Sequence, residues 1–197
     1  MNYNNLLLAF KQITPDFTQV ELEQITPLLS KSSYKKNEHI VLAGQMSRKV
    51  NFVYSGSCRM YYSDKESFEK NIILAIEGHF IHDLESLIMN KPSTYHIEAL
   101  EDSEIISIDY EKFDILLNST KNWEHCGRMI NQYVLVGVFR YVHALWMLSP
   151  EERYLKLFEE EPFLFNRFSL EHIASYLGIK RESLSRIRKR IASQKRF

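Results

Sequence analysis

The sequence predicts an α+β protein in three successive parts: a β-rich body entered through short helices, one long helix, and a terminal pair of short helices. Three observations carry that prediction. Between Tyr34 and Tyr110, short runs rich in β-branched and aromatic residues alternate with turn signals. From Trp123 to Leu148, apolar residues recur at the helical period. From Ser169 to Arg190, the stretch SLEHIASYLGIKRESLSRIRKR has a small residue, a glycine and five apolar positions spaced as two packed helices require. The expected divisions are residues 1–121 for the body with its helices, 122–148 for the long helix and 149–197 for the terminal module.

With 197 residues, 45% of them apolar, the chain can bury a substantial core in one large domain or two smaller ones. No apolar run reaches the roughly 18 residues of a membrane span, and MNYNNLLLAFKQ lacks the basic flank and cleavage site of a signal peptide. No membrane partner is expected, and the expected compartment is the cytoplasm. Cys58 and Cys126 are the only cysteines, so neither a disulfide framework nor a four-cysteine metal site can be built within one chain.

Leu6, Leu7, Phe10 and Ile13 recur at helical spacing, and Val20, Leu22, Ile25, Leu28 and Leu29 follow the breaker TPD as a second helical segment limited by Pro27. The texture then changes. HIVLA, NFVYSGSCRMYY, NIILAI, YHIEAL and EIISID read as strands, separated by AGQ, YSGS, SDKES and IEGH as turns. Many short strands at this pitch make a sandwich, roll or barrel.

The helical period returns after Asp114. With Ile130 as origin and 100° per residue, Val134, Gly137, Tyr141, Ala144, Leu145 and Leu148 fall within about 60° of one line over about five turns. Leu135, Val138, Phe139 and Val142 make the remaining surface apolar too, so two sides need cover. The chain's own packing covers one; a second copy of the helix is expected to cover the other, with the Ile130-to-Leu148 line as the dimer seam. SPEE at Ser149–Glu152 then starts a new helix, with a serine cap, proline at its first position and acids in its first turn.

In the terminal module Ala174 is the small residue and Gly178 the turn, while Ile173, Leu177, Ile179, Leu184 and Ile187 close the pair. Ser169 caps the first helix. On the second helix, with Arg181 at zero, Ser185, Lys189, Glu182 and Arg186 fall between about 40° and 140°, whereas Ile187, Ile191 and Leu184 fall between about 240° and 300°. One side is glue and the other is free. The free side carries arginines that can fork onto guanine O6 and N7 and a carboxylate that can accept from cytosine N4. Lys180, Arg188, Lys189, Arg190, Lys195 and Arg196 supply sequence-independent attraction to phosphates. Charge agrees. Nine of the 25 Lys/Arg but two of the 25 Asp/Glu lie from Asn166 onward, a basic module on an acidic body.

KRESLSRI resembles the recognition-helix signature of the Crp/Fnr superfamily of bacterial transcription regulators, and SLEHIASYLGI resembles the helix before it. KKNEHIVLAGQMSRKVNFVYSGSCRMYY, followed by IEGHFIHDLESLIMNKPSTYHIEAL, resembles that family's cyclic-nucleotide-binding β-roll, a double-stranded β-helix of jelly-roll type, with turn glycines at Gly44 and Gly56. The resemblance implies base reading by Arg181, Glu182 and Arg186 and phosphate contacts by Ser169, Ser183 and Ser185. It implies an effector region as well, and there the chain departs from the pattern. Members that bind cyclic AMP grip its phosphate with a glycine-glutamate turn and an arginine following a proline. The matching positions carry His82 and Asp83, and Ser93 and Thr94 after Pro92. Without a guanidinium to pair the phosphate, cyclic AMP is not expected to be the effector.

Other chemistries have weaker support. His79, His82, Asp83 and His96 lack the alternation that would gather them on one strand face as metal ligands, so no metal is expected. His125 beside Cys126 is the other candidate for a haem or redox role. Neither a Gly-rich phosphate loop nor a nucleophile-elbow motif is visible, so neither enzymatic activity nor a cofactor is expected. The resulting expectation is a homodimeric, sequence-specific regulator on double-stranded DNA. An unknown small effector, a protein partner such as RNA polymerase, or no effector at all are the options for control. The alternative is a roll that binds a ligand or polymerase, with a tail that only tethers it to DNA.

Overall fold

The computed structural model describes residues 3–63 and 69–194. Leu6 and Phe10, one turn apart, are the buried face of helix α1 (Asn4–Ile13). Helix α2 (Gln19–Glu23) opens with a capping box in which Thr18 and Glu21 satisfy each other's backbone N–H groups, and a 3₁₀ turn with Pro27 ends the helical entry. Here the expectation of helix up to Leu29 is corrected. Leu29–Tyr34 is strand β1, because LSKSSY pairs residue for residue with the last strand, Leu29 opposite Ile108 and Tyr34 opposite Ser103.

The remaining strands are β2 (His39–Val41), β3 (Lys49–Ser55), β4 (Ser57–Ser63), β5 (Glu69–Ile76), β6 (His96–Ala99) and β7 (Ser103–Asp109). They form two antiparallel sheets, β1-β7-β3 and β2-β6-β4-β5. The chain crosses between the sheets at Gly56, whose φ is +95°. A side chain there would also strike Ser103, whose Oγ lies 2.2 Å from the position of an added Cβ. Val53 and Ile105 from one sheet meet Cys58, Met60, Ala75, Ile97 and Ala99 from the other, which fills the roll with apolar side chains.

The outer face of β1-β7-β3 is also buried, with Phe52, Ile106 and Ile108 under α1 and the start of the long helix. Helix α3 (Leu84–Met89) lies between β5 and β6, and α4 (Tyr110–Leu117) follows β7 under an Asp109 cap. Thr120 caps α5 (Lys121–Met147). Trp123 anchors that helix: it is fully buried, its ring centroid lies 4.5 Å from Phe17 and 5.4 Å from Phe10, and its Nε1 donates to Glu21 O and Gln24 Oε1. Among the described residues no helix is long and apolar enough to cross a membrane.

Ser149 and Glu152 form the expected capping box of α6 (Pro150–Glu160), and α7 (Leu164–Arg167), α8 (Leu170–Tyr176) and α9 (Arg181–Gln194) complete the chain. Tyr154, Leu157, Leu164, Phe168, Ile173, Leu177, Leu184 and Ile187 make a separate core for this module, and Leu74 of β5 joins it. Fully burying one such leucine stabilises by about 1.5–3 kcal/mol.

Candidate nucleic-acid interface and effector region

The α8–α9 pair is built as the sequence requires. Ser169 Oγ accepts from His172 N–H at 3.2 Å, which caps α8. Gly178 takes φ +69°, and the next N–H, of Ile179, reaches back to Ala174 O at 3.0 Å. Ala174 and Leu184 are 1% and 0% exposed, so the two helices meet closely. On the opposite side of α9, Arg181, Glu182, Arg186, Arg188 and Lys189 are exposed, Lys180 precedes them in the open, and Ser183 and Ser185 are half-buried. No side-chain partner within the chain holds Arg181, Glu182 or Arg186 among the described residues. Arg190 is different: it pairs with Glu151 of α6, which corrects its expected place among free phosphate contacts. Lys195 and Arg196 lie outside the described residues.

The sequence did not announce that α8 seats itself on the free edge of the roll. Strand β5 is an edge strand, and Ser175 Oγ satisfies two of its orphan backbone groups, accepting from Asn71 N–H at 2.9 Å and donating to Glu69 O at 3.0 Å. Asn71 Nδ2 donates to His172 O at 3.0 Å. Arg167 bridges to Glu77 at 2.9 Å and also to Glu101. Burial and then the nearby Arg59 guanidinium hold His172 below the usual imidazole range. A cleft of about 560 Å³ remains between the two bodies, and Lys180, Arg181 and Glu182 line it opposite Arg59 and Glu69. Arg59 is itself closed by Glu98 at 2.6 Å and Glu69 at 2.6 Å, with its guanidinium 3.9 Å above the Tyr61 ring.

In the roll, Asp83 and Ser93 satisfy each other. Ser93 Oγ donates to Asp83 Oδ2 at 2.7 Å, while Asp83 Oδ1 accepts from the N–H groups of Glu85 and Ser86 and so caps α3. Both residues are 3% exposed. His82 is half-buried with Nδ1 sealed and without a partner, and burial pushes its pKa down to about 4. Thr94 is exposed. His79 stacks on Phe163 and His96 on Tyr61, in separate surroundings. Burial pushes the Cys58 and Cys126 thiols up, to about 12 and about 11, which leaves both as unreactive core residues.

Along α5 the expected seam is partly covered from within and partly open. Ile130 packs on the core outside the roll, with α1, while Tyr141, Ala144 and Leu145 are half-buried and line a cleft with α6 and α8; Val134 and Gly137 are exposed and Leu148 half-buried. The bare apolar stripe lies about 120° further round. It consists of Leu135, Val138, Phe139 and Trp146, at 56%, 54%, 66% and 81% exposure, with Val142 half-buried between them. A helical wheel distinguishes two apolar sides but does not say which one the chain covers itself.

Residues 31–120 match the family model of the cyclic nucleotide-binding domain. Among solved structures, FixK2 from Bradyrhizobium japonicum is similar with a TM-score of 0.71 and 18% identity, over 84% of this chain and 85% of that one. A regulator assigned to the Crp/Fnr family from Eubacterium rectale gives 0.67 and 18%, over 94% and 88%. The chain has the Crp/Fnr fold. A double mutant of CooA from Carboxydothermus hydrogenoformans gives 0.71 at 15% identity, over 91% of this chain and 86% of that one. No curated protein sequence matches the chain.

Within the Crp/Fnr fold the matched domain ends at Thr120, the cap of α5, so the long helix leaves it directly. His82 to Thr94 lie inside that domain, and the residues there do not fit a cyclic phosphate. The first N–H groups of α3, which could grip an anion, are taken by the Asp83 carboxylate. A phosphate would meet that buried negative charge, and neither the neutral His82 nor Ser93 offers a cation.

Proposed function

We propose that the protein is a homodimeric, sequence-specific DNA-binding transcription regulator whose effector is not cyclic AMP. One observation carries this reading: α9 buries Leu184 and Ile187 while Arg181, Glu182 and Arg186 are exposed and have no side-chain partner among the described residues. Guanidinium and carboxylate groups left open on one rim of a glycine-hinged helix pair have the chemistry of major-groove reading. Arg181 and Arg186 contact guanine, Glu182 accepts from cytosine, and Lys180, Arg188, Lys189, Ser169, Ser183 and Ser185 border the phosphates.

The second copy covers Leu135, Phe139, Val142 and Trp146, spaced four, three and four residues apart as a two-stranded seam requires, with Val138 beside them. Two-fold symmetry then calls for a near-palindromic operator with half-sites about 34 Å apart. Selection of bound sequences from a random DNA pool tests symmetry and reading together. A recurring inverted repeat is the expected result. Recovery of unrelated sequences, with affinity collapsing between low and moderate salt, would instead identify the terminal module as a non-specific tether for the roll. Micromolar binding of cyclic AMP in a calorimeter would overturn the effector statement.

A further inference from the structure

A second cleft, about 270 Å³ in volume, lies where the far half of α5 meets α6 and α8. That is near the lower end of the range for small-molecule sites, roughly 300–1,000 Å³. Its walls are aromatic and aliphatic: the Tyr141 and Tyr176 rings stand 5.9 Å apart at 33°, and Leu145 and Leu157 lie beside them. Burial raises both phenols, Tyr176 to about 12, so both remain neutral hydrogen-bonding groups at pH 7.

Gly137 stands on the same wall. A glycine in mid-helix destabilises by roughly 0.8–1 kcal/mol relative to alanine. Among the described residues nothing crowds it, since an added Cβ meets no atom within 4 Å. Its effect is to keep the mouth of the cleft clear.

The charges on the rim are arranged by sign. Arg140 of α5 has no carboxylate partner among the described residues. Arg153 of α6 gives Nη1 to Leu145 O at 3.1 Å, and its Nε is buried without an acceptor. Across the cleft, Glu160 sits 4.0 Å from Lys156, and Glu161 is held above the usual carboxylate range by burial. One side attracts a single negative group; the other repels a second and accepts a hydrogen bond.

We propose that this cleft binds a small bicyclic aromatic monocarboxylate, its carboxylate toward Arg140 and Arg153, its rings against the Tyr141–Tyr176 pair, and a ring N–H or hydroxyl toward Glu160 and Glu161. Such a guest wedges between the long helix and the terminal module. Any effect on DNA reading rests on the function proposed above, but the binding itself does not.

The test uses the full chain with indole-3-acetate as probe and indole-3-acetamide as its neutral counterpart. Calorimetry is expected to show saturable binding of the acid, about tenfold tighter than the amide or more, as a charge-assisted hydrogen bond implies. Arg140→Gln is expected to erase that preference. Gly137→Leu, whose side chain enters open space, is expected to weaken acid binding at least about tenfold with an unchanged or higher melting temperature. No saturation with the acid, equal affinity for acid and amide, a preference that survives Arg140→Gln, or undiminished binding by Gly137→Leu would each overturn the proposal. DNA is absent throughout, so failure here is distinct from failure of the DNA-reading assignment.

Discussion

Asp83 and Arg181 both carry a full charge at the start of a short helix, yet they are treated oppositely. Asp83 is 3% exposed, and its two oxygens take donors from Ser93, Glu85 and Ser86. Arg181 is exposed and without a side-chain partner among the described residues. A charged group closed on its own chain stabilises the fold, because removing either member strands the other in a place without water. A charged group left open contributes little to the fold and remains available to another molecule. The Asp83–Ser93 pair is therefore closed on the fold, whereas the rim of α9 is left open, as the proposed DNA reading requires.

The sharpest way to break this contrast is Asp83→Ala. Loss of the cap and of the Ser93 bond is expected to destabilise the protein by about 3–4 kcal/mol in urea denaturation. A change below about 1 kcal/mol would mean that the pair is not closed as described.

Next comes acidification. His82 falls from the ordinary 6.5 to about 4 because burial favours its neutral form. Its folded-state pKa is depressed, so its stabilising contribution is present above pH 6.5 and is lost as the pH drops towards 4. The loss is on the order of 3 kcal/mol. Melting curves of His82→Gln should therefore show a visibly flatter decline than the parent across that interval.

Arg181→Ala probes the open side. Its expected effect on fold stability is negligible, whereas affinity for the selected operator should drop by about 2 kcal/mol, roughly 30-fold, with relaxed preference at one base position. Unchanged preference in a repeated selection would remove Arg181 from the reading set.

The smallest effect belongs to Arg167→Ala. Its ion pairs with Glu77 and Glu101 are partly solvated, and their loss should lower stability by at most about 1 kcal/mol, less at high salt. Denaturation at two ionic strengths would show it.

Much of this contrast was legible in the sequence because it depends on local spacing. Gly178, Ala174 and the buried set around Leu184 occupy their expected places, and the outward Arg181, Glu182 and Arg186 follow from the same 100° step. The β-rich body was legible from the alternation of its strands. What escaped was decided at long range. LSKSSY has four polar residues and becomes a strand only because β7 lies beside it. The seating of α8 on β5 joins Asn71 to His172 and Ser175, about a hundred residues away, with no motif at either end. Which apolar side of α5 packs within the chain is likewise decided by distant partners, α6 and α8.

Trp123, clamped between Phe10 and Phe17, acts as a fulcrum near one end of a stiff arm of 27 residues, about 40 Å long. A rocking of about 5° at that hub would displace the far tip, about 36 Å away, by about 3 Å. Under the DNA reading proposed above, a displacement of that size is comparable to one base step, so the aromatic contacts of Trp123 bear on where the reading helices stand although they lie far from them.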